Sequence, residues 1–426
     1  MFARAARAAY SALLRLATPV YLARLWWRGR REPPYRAHWN ERLGGFAGTP
    51  APGRLWLHAV SLGETRAAAA LLDALRQQRP GLALLLTHGT ATGRAAGAAL
   101  LREGDAQAWL PYDTPGAVRR FLRTHRPAAG VVMETEVWPN LLLEARRAGL
   151  PLVLANARLS PRSQRRGERY AALLRPALSA FDAVLAQTAA DAARLAASGA
   201  RVVQVMGNLK YDMAPRPELL ARGADWHAAL VAAGRAVVLA ASTREGEETP
   251  LLAAWRALPA PRPLLLLVPR HPQRFDEVQA LVATAGLRGL RRSSWRELPP
   301  AGAAAADVWL GDSIGEMPLY YAAADVALLG GSFAPLGGQN LIEAAACGTP
   351  ILIGPSTRNF ADAARAAVAC GAARTIVDAD DLVRQVQELL VDDALLQTMG
   401  SAGRRFAERH RGATARTMEL LSRATR

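Results

Sequence analysis

The residues Ser61-Leu62-Gly63-Glu64 combine two chemical possibilities in one short stretch. They lie between an apolar run, RLWLHAV (54–60), and an alanine- and leucine-rich run with the pattern of a helix. A Ser-x-x-Glu sequence at such a junction is a capping box, in which the glutamate closes the first helical turn. The same carboxylate would also lie at the carboxyl end of a parallel strand, where open α/β sheets bind ligands, and could act as a general base there. Cap and base both remain open for Glu64.

Two other predicted strand ends carry residues with distinctive chemistry. Lys210 is the one lysine among 53 lysine and arginine residues, and it follows the strand VVQVMG (202–207). Its compact ammonium is a donor that a guanidinium cannot copy, although an exposed lysine without a role is the alternative. Glu134 and Glu136 follow another strand, and two neighbouring carboxylates can raise one pKa. For Glu136 we favour simple surface acidity.

The chain as a whole has the pattern of βα units on parallel sheets, since short apolar runs alternate with helical stretches. The predicted strands are residues 54–60, 83–89, 108–113, 130–135, 152–158, 183–188 and 202–207, and then 236–242, 264–270, 308–313, 326–331 and 351–355. A proline-bearing polar segment near Asp212 separates the two groups. We therefore predict an α/β protein with two Rossmann-like lobes, over 31–212 and 213–405, an amino-terminal helix over 1–30 and a carboxyl-terminal helix over 406–426.

A glycine-rich segment in the second half indicates a nucleotide site. VALLGGSFAPLGGQNLIEAAACGTPILIGP places two glycine pairs before a helix expected to begin near Asn340. Such a loop exposes backbone N–H groups to a phosphate, and Glu343 could hold ribose hydroxyls. A glycine-rich turn before a capped helix is the alternative. No G-x-G-x-x-G follows the first strand of either lobe and G-K-[ST] is absent, which argues against a dinucleotide site and excludes a P-loop.

The amino-terminal stretch predicts an amphipathic helix at a membrane surface. Arginines and Pro19 interrupt its apolar residues, so a membrane span is less favoured, while a helix packed on the protein's own body is a further alternative. The apolar residues are Leu13, Leu14, Leu16, Val20, Leu25, Trp26 and Trp27.

The net charge of +17 predicts anionic partners. The sequence lacks the aromatic-and-basic strands of a nucleic-acid binder, so we expect no nucleic-acid partner. Two cysteines and no His/Cys cluster give no sign of a metal site. Asp378-Ala379-Asp380 spells D-x-D, a pattern that can hold a metal ion, but its position before a helix favours capping.

The chain resembles the 3-deoxy-D-manno-octulosonic acid (Kdo) transferases of lipopolysaccharide assembly nearly from end to end. The resemblance rests on HAVSLGE, METEVWPN, NARLS, GNLKYD, PRHPQRF, GDSIGEMPLYY and the glycine-rich segment. It implies a GT-B fold whose lobes face a central cleft, with an amino-terminal membrane-associated helix. It also implies transfer of Kdo from CMP-Kdo to the lipid A precursor, lipid IVA, at the cytoplasmic face of the inner membrane, without metal or cofactor. Another nucleotide sugar, such as a heptosyl or hexosyl donor, is the rival expectation.

The resemblance also assigns roles to individual residues. It places the general base on Glu64 and transition-state stabilisation on Glu134 and Lys210, and the helix dipole would favour an ionised Glu64. It places the CMP contacts on Pro269, Arg270, Ile314, Gly315, Glu316, Asn340, Leu341, Ile342 and Glu343. Leu341 stands where many relatives have proline, a departure that the first helical position tolerates.

Arginines of the first lobe are candidates for the phosphates of the lipid acceptor, although an exposed charged helix face is the alternative for each. The candidates are Arg94, Arg119, Arg120, Arg162, Arg165 and Arg166. The segment RLSPRSQRRGERY (158–170) is the best cluster among them.

Overall fold

The computed structural model describes residues 2–30, 32–46, 48–212 and 214–424. The chain forms two compact units: unit 1 comprises Met1–Met213 with Arg411–Arg426, and unit 2 comprises Ala214–His410. Each unit is built on a seven-stranded parallel sheet flanked by helices. The predicted α/β class with two Rossmann-like lobes is therefore confirmed.

Unit 1 contains the first seven strands, and their order in the sheet is β3-β2-β1-β4-β5-β6-β7. These strands are β1 Leu55–His58, β2 Leu84–His88, β3 Ala106–Trp109, β4 Ala129–Met133, β5 Leu152–Ala157, β6 Ala183–Ala186 and β7 Val203–Val205. Its first nine helices are α1 Phe2–Arg28, α2 Trp39–Arg42, α3 Leu62–Gln78, α4 Ala91–Ala98, α5 Pro115–His125, α6 Pro139–Arg147, α7 Pro161–Glu168, α8 Ala171–Leu178 and α9 Ala189–Ala197. All seven predicted strands of this half are present.

Unit 2 repeats the arrangement with the order β10-β11-β9-β8-β12-β13-β14. Its strands are β8 Val237–Thr243, β9 Leu264–Pro269, β10 Gly289–Arg291, β11 Val308–Leu310, β12 Val326–Leu329, β13 Ile351–Ile353 and β14 Ala373–Thr375. Its helices are α10 Pro217–Ala232, α11 Glu248–Ala257, α12 Phe275–Thr284, α13 Met317–Ala322, α14 Ile342–Cys347, α15 Ala361–Ala369, α16 Ala379–Leu390 and α17 Asp393–Arg409. The last helix, α18 Ala413–Ala424, returns to unit 1.

Each sheet has a topological switch point, the place at which the order of successive strands reverses. In unit 1, β1 pairs with both β2 and β4, so the connections leaving β1 and β4 run to opposite sides of the sheet. In unit 2, β8 occupies the same place between β9 and β12. The loops after β1 and β4 in unit 1, and after β8 and β12 in unit 2, therefore diverge. In open α/β sheets, ligands bind beside the carboxyl ends of the strands at such a switch point.

The strands are held by a dry core on both faces of each sheet. Every residue of β1, β2 and β4 is buried, as expected for parallel strands covered by helices on both sides. The indole of Trp56 donates a hydrogen bond to the Thr87 hydroxyl (2.8 Å), which satisfies its polar atom inside the core. Rigid, fully buried strands of this kind fix the loops that follow them.

Helix α1 packs on unit 1 through one face only. Tyr10 donates a hydrogen bond to Asp113 (3.0 Å), Arg7 pairs with Glu144, and Ser11 donates to Asn140 (3.2 Å). Large apolar side chains on the opposite face are exposed, among them Phe2, Leu13, Leu16, Val20 and Trp27. Helix α1 is therefore packed on the protein along one face, and the predicted contact of its exposed apolar face with a membrane stays a prediction. Within the described residues, none of the helices combines the length and apolar character that crossing a bilayer requires.

Candidate active site

Glu64 forms a complete capping box at the start of α3. The backbone N–H of Val60 donates to its Oε2 (2.7 Å), and the Ser61 hydroxyl donates to its Oε1 (2.9 Å). In return, the backbone N–H of Glu64 donates to the Ser61 hydroxyl oxygen (3.4 Å). Residue Glu64 is 9% exposed, and it follows the carboxyl end of β1, beside the switch point between β1 and β4. Its position therefore fits a ligand-facing role as well as a cap.

The electrostatics of Glu64 differ from what the helix start alone predicts. Burial, with the nearby charge of Glu134 as the next contribution, raises the pKa of Glu64 to about 7. The hydrogen bonds from Val60 and Ser61 lower the pKa but do not outweigh burial. The expectation of a firmly ionised carboxylate is therefore wrong, because desolvation exceeds the stabilising effect of the helix end. A carboxylate with a pKa near 7 suits proton transfer at neutral pH.

The loop carrying Val60 and Ser61 is held by the end of β2. The backbone N–H of Thr90 and its hydroxyl both donate to the carbonyl of Val60 (3.0 Å each). Burial lowers the pKa of His88 to about 4, and its Nδ1 lies 2.9 Å from the Ala59 carbonyl oxygen. Gly89 packs so closely that an added Cβ would lie 2.8 Å from Val60. The segment THGTATG (87–93) thus holds the loop that positions Glu64. This role of the segment was not predicted from the sequence.

Glu134 and Lys210 form an ion pair. Lys210 Nζ lies 2.8 Å from Glu134 Oε1, and about a fifth of each side chain is exposed, 20% and 21%. Glu134 follows β4 with a left-handed backbone (φ 59°), a conformation that costs a non-glycine residue energy and often marks a functional position. Glu134 is also close enough to Glu64 for its charge to raise the pKa of Glu64. The structure therefore brings the three residues predicted for catalysis together within unit 1.

Asn156 holds this ion pair in place. It lies at an irregularity in β5 with φ 55°, and its side-chain oxygen accepts a hydrogen bond from the Leu209 backbone N–H (3.1 Å). The neighbouring Ala155 carbonyl accepts from the Glu134 N–H (2.8 Å). On the other side, Asp212 accepts from the Gly412 N–H (2.6 Å). The turn bearing Lys210 is therefore fixed at both ends. An asparagine inside an apolar strand was the available signal in the sequence.

Glu136 is half-buried rather than a simple surface acid. Its Oε2 accepts a hydrogen bond from the Trp138 indole (2.7 Å), and burial raises its pKa. Its contribution to the pKa of Glu64 is smaller than that of Glu134. Glu136 therefore belongs to the polar surroundings of the site.

The residues predicted to contact CMP follow three strands of unit 2. Pro269 ends β9, with Arg270 directly after it, and Ile314, Gly315 and Glu316 follow the paired strand β11. Glu316 accepts hydrogen bonds from Arg292 (3.0 and 3.1 Å) and from the Ser313 hydroxyl (2.6 Å). The Ile314 side chain is exposed, and Gly315 has φ 88°. The Glu316 carboxylate thus anchors the loop, and the Ile314–Gly315 backbone remains at the surface.

The predicted contacts after β12 divide into buried and half-buried side chains. Helix α14 begins at Ile342 rather than near Asn340, and the Asn340 side chain accepts from the Ile342 N–H (3.1 Å). Leu341 and Ile342 are both buried in unit 2, each 1% exposed. Glu343 is half-buried. Any ligand contact from Leu341 or Ile342 would therefore involve the backbone.

A buried glutamate shapes the glycine-rich loop. Residue Glu247 is 4% exposed, and its carboxylate accepts hydrogen bonds from the backbone N–H groups of Gly331 (2.7 Å), Phe333 (3.0 Å) and Ala334 (3.2 Å). Gly330 packs against β8 so tightly that a Cβ would lie 2.4 Å from the Ser242 carbonyl oxygen. The loops after β8 and β12 are thereby joined at the switch point. This role of Glu247 was not predicted from the sequence.

Asp378 and Asp380 stand at a helix start. Asp378 accepts a hydrogen bond from the Asp381 N–H (2.9 Å) as the N-cap of α16, and Asp380 lies in its first turn. In the part of the chain that the structure describes, no group of three or more His, Cys, Asp or Glu residues is arranged to hold a metal ion. The capping interpretation of this D-x-D sequence is consistent with these contacts.

Comparison with known proteins identifies the family. The sequence model described as 3-deoxy-D-manno-octulosonic-acid transferase (kdotransferase) matches residues 37–213, and that of glycosyl transferases group 1 matches 305–406. A 3-deoxy-D-manno-octulosonic acid transferase of Bordetella pertussis is 49% identical, over 97% of this chain and 98% of the relative. The Haemophilus influenzae enzyme is 36% identical, over 97% of each chain.

The chain belongs to the Kdo transferase family. It is a glycosyltransferase of lipopolysaccharide biosynthesis. Among solved structures, HepE of Anabaena in complex with UDP has a TM-score of 0.57 at 15% identity, over 87% of this chain and 99% of that one. A glycosyltransferase of Rickettsia africae has a TM-score of 0.56 at 12% identity, over 88% and 99%. These likenesses concern the fold alone, and they confirm the predicted GT-B class.

Replacing Asn156 by glycine should slow transfer and change its pH dependence. Glycine accepts the left-handed backbone but loses the hydrogen bond to Leu209, so the Lys210 turn loosens. With less positive charge beside Glu134, the midpoint of the kcat/KM rise with pH should shift upward from about 7. The control is Ser242→Gly at the left-handed position in β8 (φ 58°). An unchanged pH midpoint in Asn156→Gly would contradict this positioning role.

Proposed function

We propose that the protein transfers Kdo from CMP-Kdo to the lipid A precursor lipid IVA, with inversion at the anomeric carbon. The observation that carries this proposal is the buried Glu64, whose pKa is about 7, beside the Glu134–Lys210 ion pair at the β1–β4 switch. A sugar hydroxyl is a weak nucleophile at neutral pH, so a base with this pKa matches the need. Membership of the Kdo transferase family supports the donor sugar.

In the proposed step, Glu64 accepts the proton of the acceptor hydroxyl. The hydroxyl oxygen forms a bond to the anomeric carbon of Kdo, and the bond from that carbon to the phosphate oxygen breaks. CMP leaves with the electron pair. Each oxygen of the Glu64 carboxylate already accepts one hydrogen bond, from Val60 or Ser61, but a carboxylate oxygen has a second lone pair. Cap and base are therefore compatible roles.

Glu134 and Lys210 are proposed to stabilise charge in the transition state. An ammonium carries three N–H groups, so Lys210 can contact Glu134 and an anionic oxygen of the reactants together. Glu134 in turn raises the pKa of Glu64, which makes the base stronger. Because a lysine–carboxylate pair of this kind holds both side chains in place, the charges are arranged before the substrate arrives.

Unit 2 is proposed to bind CMP through loops at the carboxyl ends of its strands. Pro269, Arg270, Asn340, Leu341, Ile342 and Glu343 keep the roles that the resemblance implies. Ile314 and Gly315 would contact the nucleotide by their backbone, and Glu316 would hold them there through Arg292 and Ser313. We propose that no metal takes part, since a monophosphate leaving group can be neutralised by Lys210 and arginine side chains.

Helix α1 is proposed to lie on the anionic cytoplasmic face of the inner membrane. The exposed Leu13, Leu16, Val20 and Trp27 are spaced by three, four and seven residues, so they share one face of the helix. Arg24, four residues after Val20 and three before Trp27, lies on the same face and would meet acidic headgroups. The opposite face is bonded to Asp113 and Asn140, so the contact would carry unit 1 with it.

Glu64→Gln should abolish most transfer while leaving the fold intact. The amide oxygen of glutamine can accept from the Val60 N–H, and its NH2 group can donate to the Ser61 hydroxyl in place of accepting from it. The amide cannot take up a proton as a general base, so the rate should fall by about 10²–10⁴-fold. Ser61→Ala is the matched control, because it weakens the cap and retains the carboxylate. Transfer is measured by mass spectrometry of the lipid products from CMP-Kdo and lipid IVA, with EDTA present. Retained transfer in Glu64→Gln would reduce Glu64 to a cap, and loss of wild-type transfer in EDTA would contradict metal independence.

Leu16→Glu combined with Val20→Glu should release the protein from membranes. Both side chains are exposed, 78% and 70%, so the variant should fold, while burial of an apolar side chain is worth about 1.5–3 kcal/mol. Partitioning onto vesicles with anionic lipid should fall by at least about tenfold, as sedimentation measures. Leu298→Glu in unit 2, where leucine is 65% exposed, is the control. Equal losses in both variants would contradict a role specific to α1.

A further inference from the structure

Helix α7 presents a face of arginines that has no function in the fold. Arg162, Arg165, Arg166 and Arg169 are spaced by three, four and seven residues from the first, so they lie on one side of the helix. No residue of α7 is buried. Positions with this spacing normally face a protein core, but here they carry four like charges that repel one another. The helix therefore keeps an unfavourable arrangement exposed to solvent.

The other arginines suggested for phosphate binding have structural partners. Arg94 donates to Glu41 (2.7 Å) and stacks on Trp109, and Arg120 donates to the Leu43 carbonyl (2.8 Å). Arg119 lies 3.7 Å from Glu144. By contrast, among the described residues no ion pair to a carboxylate is found for Arg162, Arg165 and Arg166 of α7, or for Arg169, which caps its carboxyl end. Of the six arginines that the sequence suggested for phosphate binding, the structure thus favours the three in α7, Arg162, Arg165 and Arg166. It adds Arg169, which follows them on the same face.

The position of α7 places this face beside the proposed catalytic loop. Helix α7 follows β5, which pairs with β4, the strand that ends before Glu134. The hydroxyl of Thr135, the residue after Glu134, donates a hydrogen bond to the Arg158 carbonyl. The backbone of Leu159 is held as well, because its N–H donates to Asp191 (3.0 Å). The beginning of α7 is therefore fixed at the carboxyl edge of the sheet that carries the acids.

We propose that the Arg162–Arg165–Arg166–Arg169 face binds a phosphate group of the phosphorylated glycolipid acceptor. The inference rests on the proposed function and names the part of unit 1 that recognises the acceptor's charge. Guanidinium groups bind phosphate oxygens through paired N–H donors, and several of them on one face suit a dianionic group better than a single cation does. Binding of the phosphate also removes the mutual repulsion of the arginines.

The test compares two double variants of the full chain. Arg162→Gln/Arg166→Gln removes two charges from the face. Arg123→Gln/Arg201→Gln removes two exposed arginines at the opposite edge of the sheet, since Arg123 is in the last turn of α5 and Arg201 precedes β7. Kinetics are measured in neutral detergent micelles, with intact acceptor and with acceptors lacking one or the other phosphate.

The first variant should raise KM for the intact acceptor about tenfold, with kcat and the donor KM within about twofold of wild type. The control should behave as wild type. An acceptor that lacks the recognised phosphate should raise the KM of the wild type by a similar factor. The same acceptor should change the KM of Arg162→Gln/Arg166→Gln little, because the two changes remove the same interaction.

Equal KM values for the two double variants would overturn the proposal. So would an unchanged acceptor KM accompanied by weaker binding to anionic vesicles without acceptor, because the face would then serve the bilayer. If the wild type transfers Kdo to none of these lipids, the proposed function itself fails. If instead the wild type transfers Kdo and Arg162→Gln/Arg166→Gln has the same acceptor KM as its control, the proposed phosphate site alone fails.

Discussion

The ion pair between Glu134 and Lys210 is the interaction on which the proposed chemistry depends. It places the negative charge of Glu134 close enough to Glu64 to raise the pKa of Glu64, and it places a positive charge beside Glu134. Glu134 has a left-handed backbone, and so does Asn156, which fixes the turn that carries Lys210. Such conformations cost about 1–3 kcal/mol each. The buried strands β4 and β5 keep them in place, so the scaffold stabilises what the local sequence disfavours.

The two units organise their switch points by related means. In unit 1, β5 has an irregularity at Asn156, and in unit 2, β8 has one at Ser242, both with positive φ. In unit 2 the buried carboxylate of Glu247 gathers backbone N–H groups of the glycine-rich loop. A fixed acceptor inside the loop determines its shape without ligand. In each unit, loop geometry is therefore set by a few polar contacts at the carboxyl edge of a rigid sheet.

Much of the fold could be predicted from the sequence because its central strands are continuous apolar runs. All twelve predicted strands are present, whereas β10 (GLR) and β14 (ART) were missed, since each is a three-residue edge strand without an apolar run. The motif resemblance brought Glu64, Glu134 and Lys210 forward as a set. The pKa of Glu64 could not be predicted from the helix start, because burial and the distance to Glu134 are set by folding. The roles of Asn156 and Glu247 were missed for the same reason.

The charge state of Glu64 tests the account most directly. Carboxyl ¹³C chemical shifts of labelled glutamate, with Glu64→Gln used to assign the signal, would give its pKa in the intact protein. We expect a titration near 7 that moves lower in Glu134→Gln, because a neighbouring negative charge is removed, and higher in Lys210→Met, because a positive charge is removed. A titration near the ordinary value of 4.5, unchanged by either substitution, would contradict the central claim.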